Sequence, residues 1–205
     1  MFSWLEPEPG RGMRMDHRED RAPRQYKATK GFTKKGLIMV YTGEGKGKTT
    51  AAVGTALRAL GHGYKVAIVQ FIKGKWKTGE EKALKMFRGQ CDVFVLGDGF
   101  TWETGGLERD VETARKAWIK CCDLLSDQEH QLVILDEINN VIDYNFLDAQ
   151  EVIRQLKEKP PFKHVLLTGR GAPQALMDMA DLVTRMTCVK HPFDKGIKAQ
   201  PGIDY

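Results

Sequence analysis

The sequence predicts an α/β protein, with a mostly parallel sheet of about six strands as the middle of three layers and helices on both faces. Two observations carry that prediction. Short apolar runs alternate along the chain with longer segments whose apolar residues recur at helical spacing. The runs are apolar at nearly every position, the mark of strands buried on both faces. The 205 residues suit one domain with a tail, and 41% hydrophobic against 29% charged residues excludes wholesale disorder. No stretch approaches about 18 consecutive apolar residues, so none reads as a membrane span.

The elements follow in order from Gly36. Leu37–Tyr41 is a first buried strand, and a glycine-rich loop leads into a helix from Lys48 to Leu60, with Val53, Leu57 and Leu60 on its expected apolar face. Gly61 and Gly63 end that helix, because glycine accepts the left-handed cap conformation. Val66–Phe71 and Val93–Leu96 read as strands, with a helical stretch at Glu80–Arg88 between them. A long helix over Glu108–Ser126 precedes a strand at Leu132–Leu135. Leu147–Lys157 is a helix stopped by Pro160 and Pro161, Val165–Thr168 a strand, Pro173–Met179 a helix, and Leu182–Cys188 the last strand. Residues 1–35, broken by prolines and glycines, read as a flexible arm with a short helix near Arg11–Tyr26; Met13 and Met15 are candidates for a later start, which the intact mass of the natively expressed protein would test.

Thr42-Gly43-Glu44-Gly45-Lys46-Gly47-Lys48-Thr49-Thr50 lies between strand and helix. It is a P-loop in which Thr42 stands where the first glycine is usual. Its glycines let the backbone curl so that amide N–H groups face phosphate oxygens, and the helix N-terminus adds partial positive charge. Lys48 supplies a point charge, and the Thr49 hydroxyl is placed to ligate Mg²⁺. Asp136 and Glu137 follow the apolar strand Leu132–Leu135, at the edge where ligands bind in open α/β sheets, and one of them would ligate Mg²⁺ directly or through water. Together these motifs predict a three-layer P-loop (RecA-like) fold and a Mg²⁺-nucleotide site, without fixing the reaction. Glu44 is unusual inside a phosphate loop. It must point outward or lie close to Mg²⁺, with Lys46 within reach as its partner.

Two further loops fall at the same sheet edge. Gly97–Thr104 holds Phe100 and Trp102, which either contact an apolar ligand or complete a satellite of the core. Thr168-Gly169-Arg170-Gly171 presents an arginine that either reaches a phosphate bidentately or sits in a surface turn.

From Gly36 to Tyr205 the chain resembles the P-loop corrinoid adenosyltransferases. The resemblance rests on Thr42–Ala52, Val69–Gly74, Gly99–Glu103, Leu135–Glu137, Thr168–Gly171, Lys190–Asp194 and Gly202–Tyr205. It implies transfer of the 5′-deoxyadenosyl group of ATP to the Co(I) of a corrinoid, with inorganic triphosphate as the leaving group and ATP reversed in the loop. It implies that Gly43, Glu44, Gly45, Lys46, Gly47, Lys48, Thr49, Thr50 and Arg170 hold ATP. Thr49 and Glu137 would bind Mg²⁺ (or Mn²⁺), with Asp136 behind them, while Phe100 and Trp102 face the corrin and displace its lower axial ligand. A flavoprotein electron donor, a homodimer, and an N-terminal arm that caps the corrinoid belong to the same expectation.

Charge and cysteine narrow the setting. Residues 1–35 carry nine Lys/Arg against five Asp/Glu, so the net charge of +5 lies mostly in the arm. A nearly neutral domain argues against nucleic acid as its partner, although a basic arm on a P-loop protein keeps that reading testable. Four cysteines without CxxC spacing and no leader pattern read as reduced thiols in a cytoplasmic protein. The main rival function is a generic ATPase or nucleotide kinase, which would release ADP.

Overall fold

The computed structural model describes residues 33–72, 78–97 and 107–204. The helix expected near Arg11–Tyr26 and the aromatic pair Phe100 and Trp102 lie outside the described residues. The chain divides into two units, Met1–Thr33 and Lys34–Tyr205, and the second holds the sheet and its helices.

Six strands form one sheet in the order β3-β2-β4-β5-β1-β6, and every pairing is parallel. They are β1 (Ile38–Thr42), β2 (Val66–Gln70), β3 (Cys91–Val95), β4 (Leu132–Asp136), β5 (His164–Thr168) and β6 (Leu182–Arg185). The helices are α1 (Lys48–Gly61), α2 (Gly79–Leu84), α3 (Leu107–Ser126), α4 (Ile138–Asp143), α5 (Ala149–Glu158) and α6 (Gln174–Met179).

Strand side chains alternate between faces, so each strand feeds two cores. Val40, Val69, Leu135 and Leu167 point to the side covered by α3, α4, α5 and α6. Met39, Ile68, Ile134 and Leu166 point to the side covered by α1 and α2. The central strands are therefore apolar throughout, and the predicted three-layer α/β fold is the one observed.

Several elements differ from their sequence expectation: the helix expected over Glu80–Arg88 is α-helical only to Leu84 and closes with a 3-10 turn over Lys85–Phe87, and the one expected from Leu147 starts at Ala149. In α1 the buried face is Ala52, Ala56 and Leu60, whereas Leu57 is 45% exposed. Helix α4 lies where the sequence predicts no element; its Ile138, Val141 and Ile142 recur at helical spacing and are all buried. The last strand stops at Arg185 instead of Cys188, because its neighbour β1 ends opposite it at Thr42. Beyond Arg185 the backbone runs on against the phosphate loop, with the amide of Met186 donating to the Thr42 carbonyl at 2.8 Å.

Candidate active site

Strand β1, the loop and α1 are joined as the motif requires. The Thr42 hydroxyl is buried and accepts from the amide of Ala172 at 3.3 Å, which gives this residue a structural use where glycine is usual. Gly43 and Gly47 have φ of +98° and +106°, a region that favours glycine. Gly45 has another reason: its amide donates to the Met186 carbonyl at 2.8 Å, and a Cβ there would sit 2.7 Å from the carbonyl carbon of Thr187. The chain after β6 therefore braces the outside of the loop.

Lys48 opens α1 and is buried. Its ammonium donates to the carbonyls of Gly43 at 2.7 Å and Gly45 at 2.8 Å, so it stitches the loop closed from inside. Burial lowers its pKa below the ordinary lysine value, and the nearby Glu137 carboxylate opposes that shift.

The acidic strand end lies beside the loop. Asp136 is buried, and its Oδ1 accepts from the hydroxyls of Thr49 at 3.0 Å and Thr168 at 2.7 Å. Its Oδ2 accepts a longer bond from Gln70 Nε2 at 3.4 Å. Burial raises the Asp136 pKa against the pull of these bonds. Glu137 sits at φ +67°, strained for a non-glycine residue, and its amide donates to Thr168 Oγ1 at 2.9 Å. Burial, and then the neighbouring Asp136, raise its pKa.

Arg170 is brought to the same place by the turn after β5. Its side chain is exposed and pairs with Glu44 at 3.4 Å. That pair corrects the expected partnership of Glu44 with Lys46: Lys46 reaches instead to Asp204 in the C-terminal turn. Glu44 points outward, as one of its two expected orientations required, with 69% of its side chain exposed.

Lys48, Thr49, Asp136, Glu137 and Arg170, together with loop residues 44–47 and Thr50, line one cavity of about 450 Å³. Glu80 also lines the cavity, and the donors that Asp136, Glu137 and Thr49 offer a cation there are all oxygen, two carboxylates and a hydroxyl. That suits a hard ion such as Mg²⁺, which takes one or two carboxylates and fills its remaining positions with phosphate and water. Among the described residues no group of three or more His, Cys, Asp or Glu forms a denser metal cluster. Gln70, Asn140 and Asp204 also line the cavity and were not singled out from the sequence. Gln70 stood inside a quoted motif, at the end of a predicted strand, which was its available signal.

A second cavity, of about 890 Å³, opens along α3 and the α4–α5 connection, with Trp118, Phe146 and Leu147 among its walls. It begins at Asp143 and Gly171, next along the two segments that give the first cavity Asn140 and Arg170. No helix among the described residues is long and apolar enough to cross a membrane. All four cysteines are free.

Known proteins share this sequence closely. The family model described as ATP:corrinoid adenosyltransferase BtuR/CobO/CobP matches residues 34–205. A corrinoid adenosyltransferase from a Sinorhizobium species is 51% identical over 173 residues, which span 83% of this chain and 81% of the relative. The corrinoid adenosyltransferase of Pseudomonas aeruginosa is 44% identical over 171 residues, 83% of this chain and 84% of the relative. That of Escherichia coli K12 is 45% identical over 171 residues, 83% and 86% of the two chains.

Proposed function

The chain belongs to the family of ATP:corrinoid adenosyltransferases and is a corrinoid adenosyltransferase, and from that premise we propose how its residues divide the work. In the reaction Co(I) attacks C5′ of the ATP ribose. A Co–C bond forms, the C5′–O bond breaks, and inorganic triphosphate leaves with the bonding pair. The reacting centre is carbon, so the protein needs no group to activate a γ-phosphate acceptor. It needs donors held ready for charge that builds on the departing triphosphate.

We assign that role to Lys48, the loop amides of residues 43–49 other than that of Gly45, which is bonded to the Met186 carbonyl, and Arg170. Thr49 and Glu137 would hold Mg²⁺ (or Mn²⁺), with Asp136 orienting Thr49 from behind. When bound, the ion supplies charge neutralisation on the phosphates. The observation that carries the reading is the convergence of Lys48, Thr49, Glu137 and Arg170 on one cavity at the sheet edge.

The corrinoid requires a space contiguous with the nucleotide, and we assign it to the larger cavity along α3. Phe100 and Trp102, which follow β3 and precede α3 in the chain, would press on the corrin face and displace its lower axial ligand. Ile119 stands on that cavity's wall with 64% of its surface exposed. Ile119→Arg is expected to raise the corrinoid KM several-fold while leaving ATP affinity unchanged; an unchanged corrinoid KM moves the corrinoid elsewhere. The reaction consumes Co(I), so a flavoprotein electron donor is part of the proposal, as are a homodimer and a cytoplasmic setting.

The deciding experiment is anaerobic. Protein, ATP, Mg²⁺ and chemically reduced cob(I)alamin are mixed while the corrinoid spectrum and the phosphate products are followed. Triphosphate formed one-for-one with adenosylcorrinoid, and lost in Glu137→Gln at low Mg²⁺ but recovered at high Mg²⁺, supports the assignment. Release of ADP, or a Glu137→Gln variant with unchanged Mg²⁺ dependence, overturns it.

A further inference from the structure

The turn that carries Arg170 is fastened to α4 by a set of contacts that motif reading does not assign. The Asn140 side-chain oxygen accepts from the Arg170 amide at 2.6 Å. Asn139 is fully buried, and its Nδ2 makes a longer contact with the Gly169 carbonyl at 3.4 Å. The fit leaves no room for change at position 169. Gly169 has φ +128°, and a Cβ there would lie 2.5 Å from Asn140 Oδ1 and 3.0 Å from Asn139 Cβ. One residue before, Thr168 donates to Asp136 and accepts from the Glu137 amide. The end of β4 and the end of β5 are therefore laced together residue by residue.

Arg170 itself is held differently at its two ends. Its backbone is fixed by Asn140, while among the described residues its guanidinium pairs with an exposed carboxylate, that of Glu44, a contact worth little in water. Orientation toward the cavity must come from the backbone end.

We propose that Asn140 is the positioning residue for Arg170: by fixing the Arg170 amide it aims the guanidinium into the nucleotide cavity, in register with Asp136 and Glu137. The proposal rests on the reading that Arg170 meets the triphosphate. A flexible arginine pays rotamer entropy on each binding event, and a fixed backbone reduces what remains to be ordered. Asn140 acts through Arg170, so its contribution exists only while Arg170 is present.

A double-mutant cycle tests this, read as the affinity for inorganic tripolyphosphate by calorimetry in the presence of Mg²⁺, with no corrinoid and no turnover. Asn140→Ala is expected to weaken binding about 3- to 10-fold, the range of one lost hydrogen bond. Arg170→Ala is expected to weaken it by at least as much. In the double variant, Asn140→Ala should add nothing to Arg170→Ala. A further loss of similar size in the Arg170→Ala background overturns the proposal, since Asn140 would then act on the ligand directly or through general distortion. Wild-type affinity in Asn140→Ala overturns it as well. If Arg170→Ala alone binds tripolyphosphate normally, the reading of Arg170 fails first, and the role of Asn140 goes with it. Should Asn140→Ala fold poorly, Asn140→Ser enters the same cycle.

Discussion

In the role proposed for it, Lys48 would meet phosphate from a site already stripped of much of its water. Its ammonium is held by two carbonyls of the loop it closes, and burial lowers its pKa. A donor desolvated before the reaction does not have to be reorganised during it, and in a low-dielectric site its attraction for new negative charge is less diluted. Removing one such donor commonly costs about 3–4 kcal/mol in the transition state. Lys48→Ala is therefore expected to lower turnover by roughly 10²-fold or more, measured at saturating ATP and corrinoid. Near-normal turnover with intact ATP affinity would refute the role. Lys48, Thr49 and Asp136 could be found in the sequence because each stands at a fixed offset from a strand or a glycine run. The partner of Glu44 could not. Arg170 and Asp204 are brought to the loop by distant segments, and only folding decides which carboxylate meets which cation. The partners of Thr168, and Asn140 altogether, are illegible for the same reason, since nothing in their own neighbourhoods marks a partner on the adjoining strand end.

Helix α1 shows where periodicity misleads at the scale of an element. Val53, Leu57 and Leu60 share a face on a helical wheel, yet the helix turns Ala52, Ala56 and Leu60 to the sheet and leaves Leu57 45% exposed. Lys48 explains the rotation. It must point into the loop and is buried, and residues 48, 52 and 56 lie on one face at spacings of four, which brings the small residues inward. The site thus sets the helix orientation, and alanine lets the helix lie close to the strands. Ala56 has no exposed surface. Ala56→Leu is expected to overpack this interface and to cost about 1–3 kcal/mol, a fall in Tm of roughly 2–12 °C for a domain of this size. Leu57→Gln, the larger change by hydropathy, is expected to stay within about 0.5 kcal/mol of the parent. Thermal unfolding of both variants checks the pair, and the reverse ranking would restore the face that periodicity suggests. The strands were easier to read, because the central ones are apolar on both faces whatever their register. Helix α4 was missed because it starts from the left-handed Glu137 without a side-chain cap and is only six residues long.

Across the whole domain the sheet has two working edges. The C-terminal ends of the strands carry the site, while a compact charge network closes the N-terminal ends. There Lys163 is buried just before β5 and donates to Asp127 at 2.8 Å and to the Leu124 carbonyl. His130, also buried, stands 2.7 Å from the Asp127 carboxylate and 3.0 Å from that of Asp92, at the start of β3. The network ties α3 to the starts of β3, β4 and β5. Burial alone would raise the Asp127 pKa, but hydrogen bonds from Lys163 and His130 prevail and bring it down to about 2. A carboxylate depressed in this way stabilises the fold at every pH above its unfolded value near 3.9, and loses that contribution as pH falls through about 2. The shift alone corresponds to about 2–3 kcal/mol, and solvent screening of this part-exposed group reduces it to about 1–2 kcal/mol. Asp127→Asn removes the titration of this carboxyl, so the stability gap between parent and variant should shrink as pH falls from about 4 toward 2. Urea unfolding of both proteins across that range is the measurement. A gap that does not narrow with acid would show that Asp127 holds Lys163 and His130 by shape alone. Because the network lies at the edge opposite the nucleotide cavity, the same variant at pH 7 should keep its affinity for tripolyphosphate, which separates loss of the domain's footing from loss of its site.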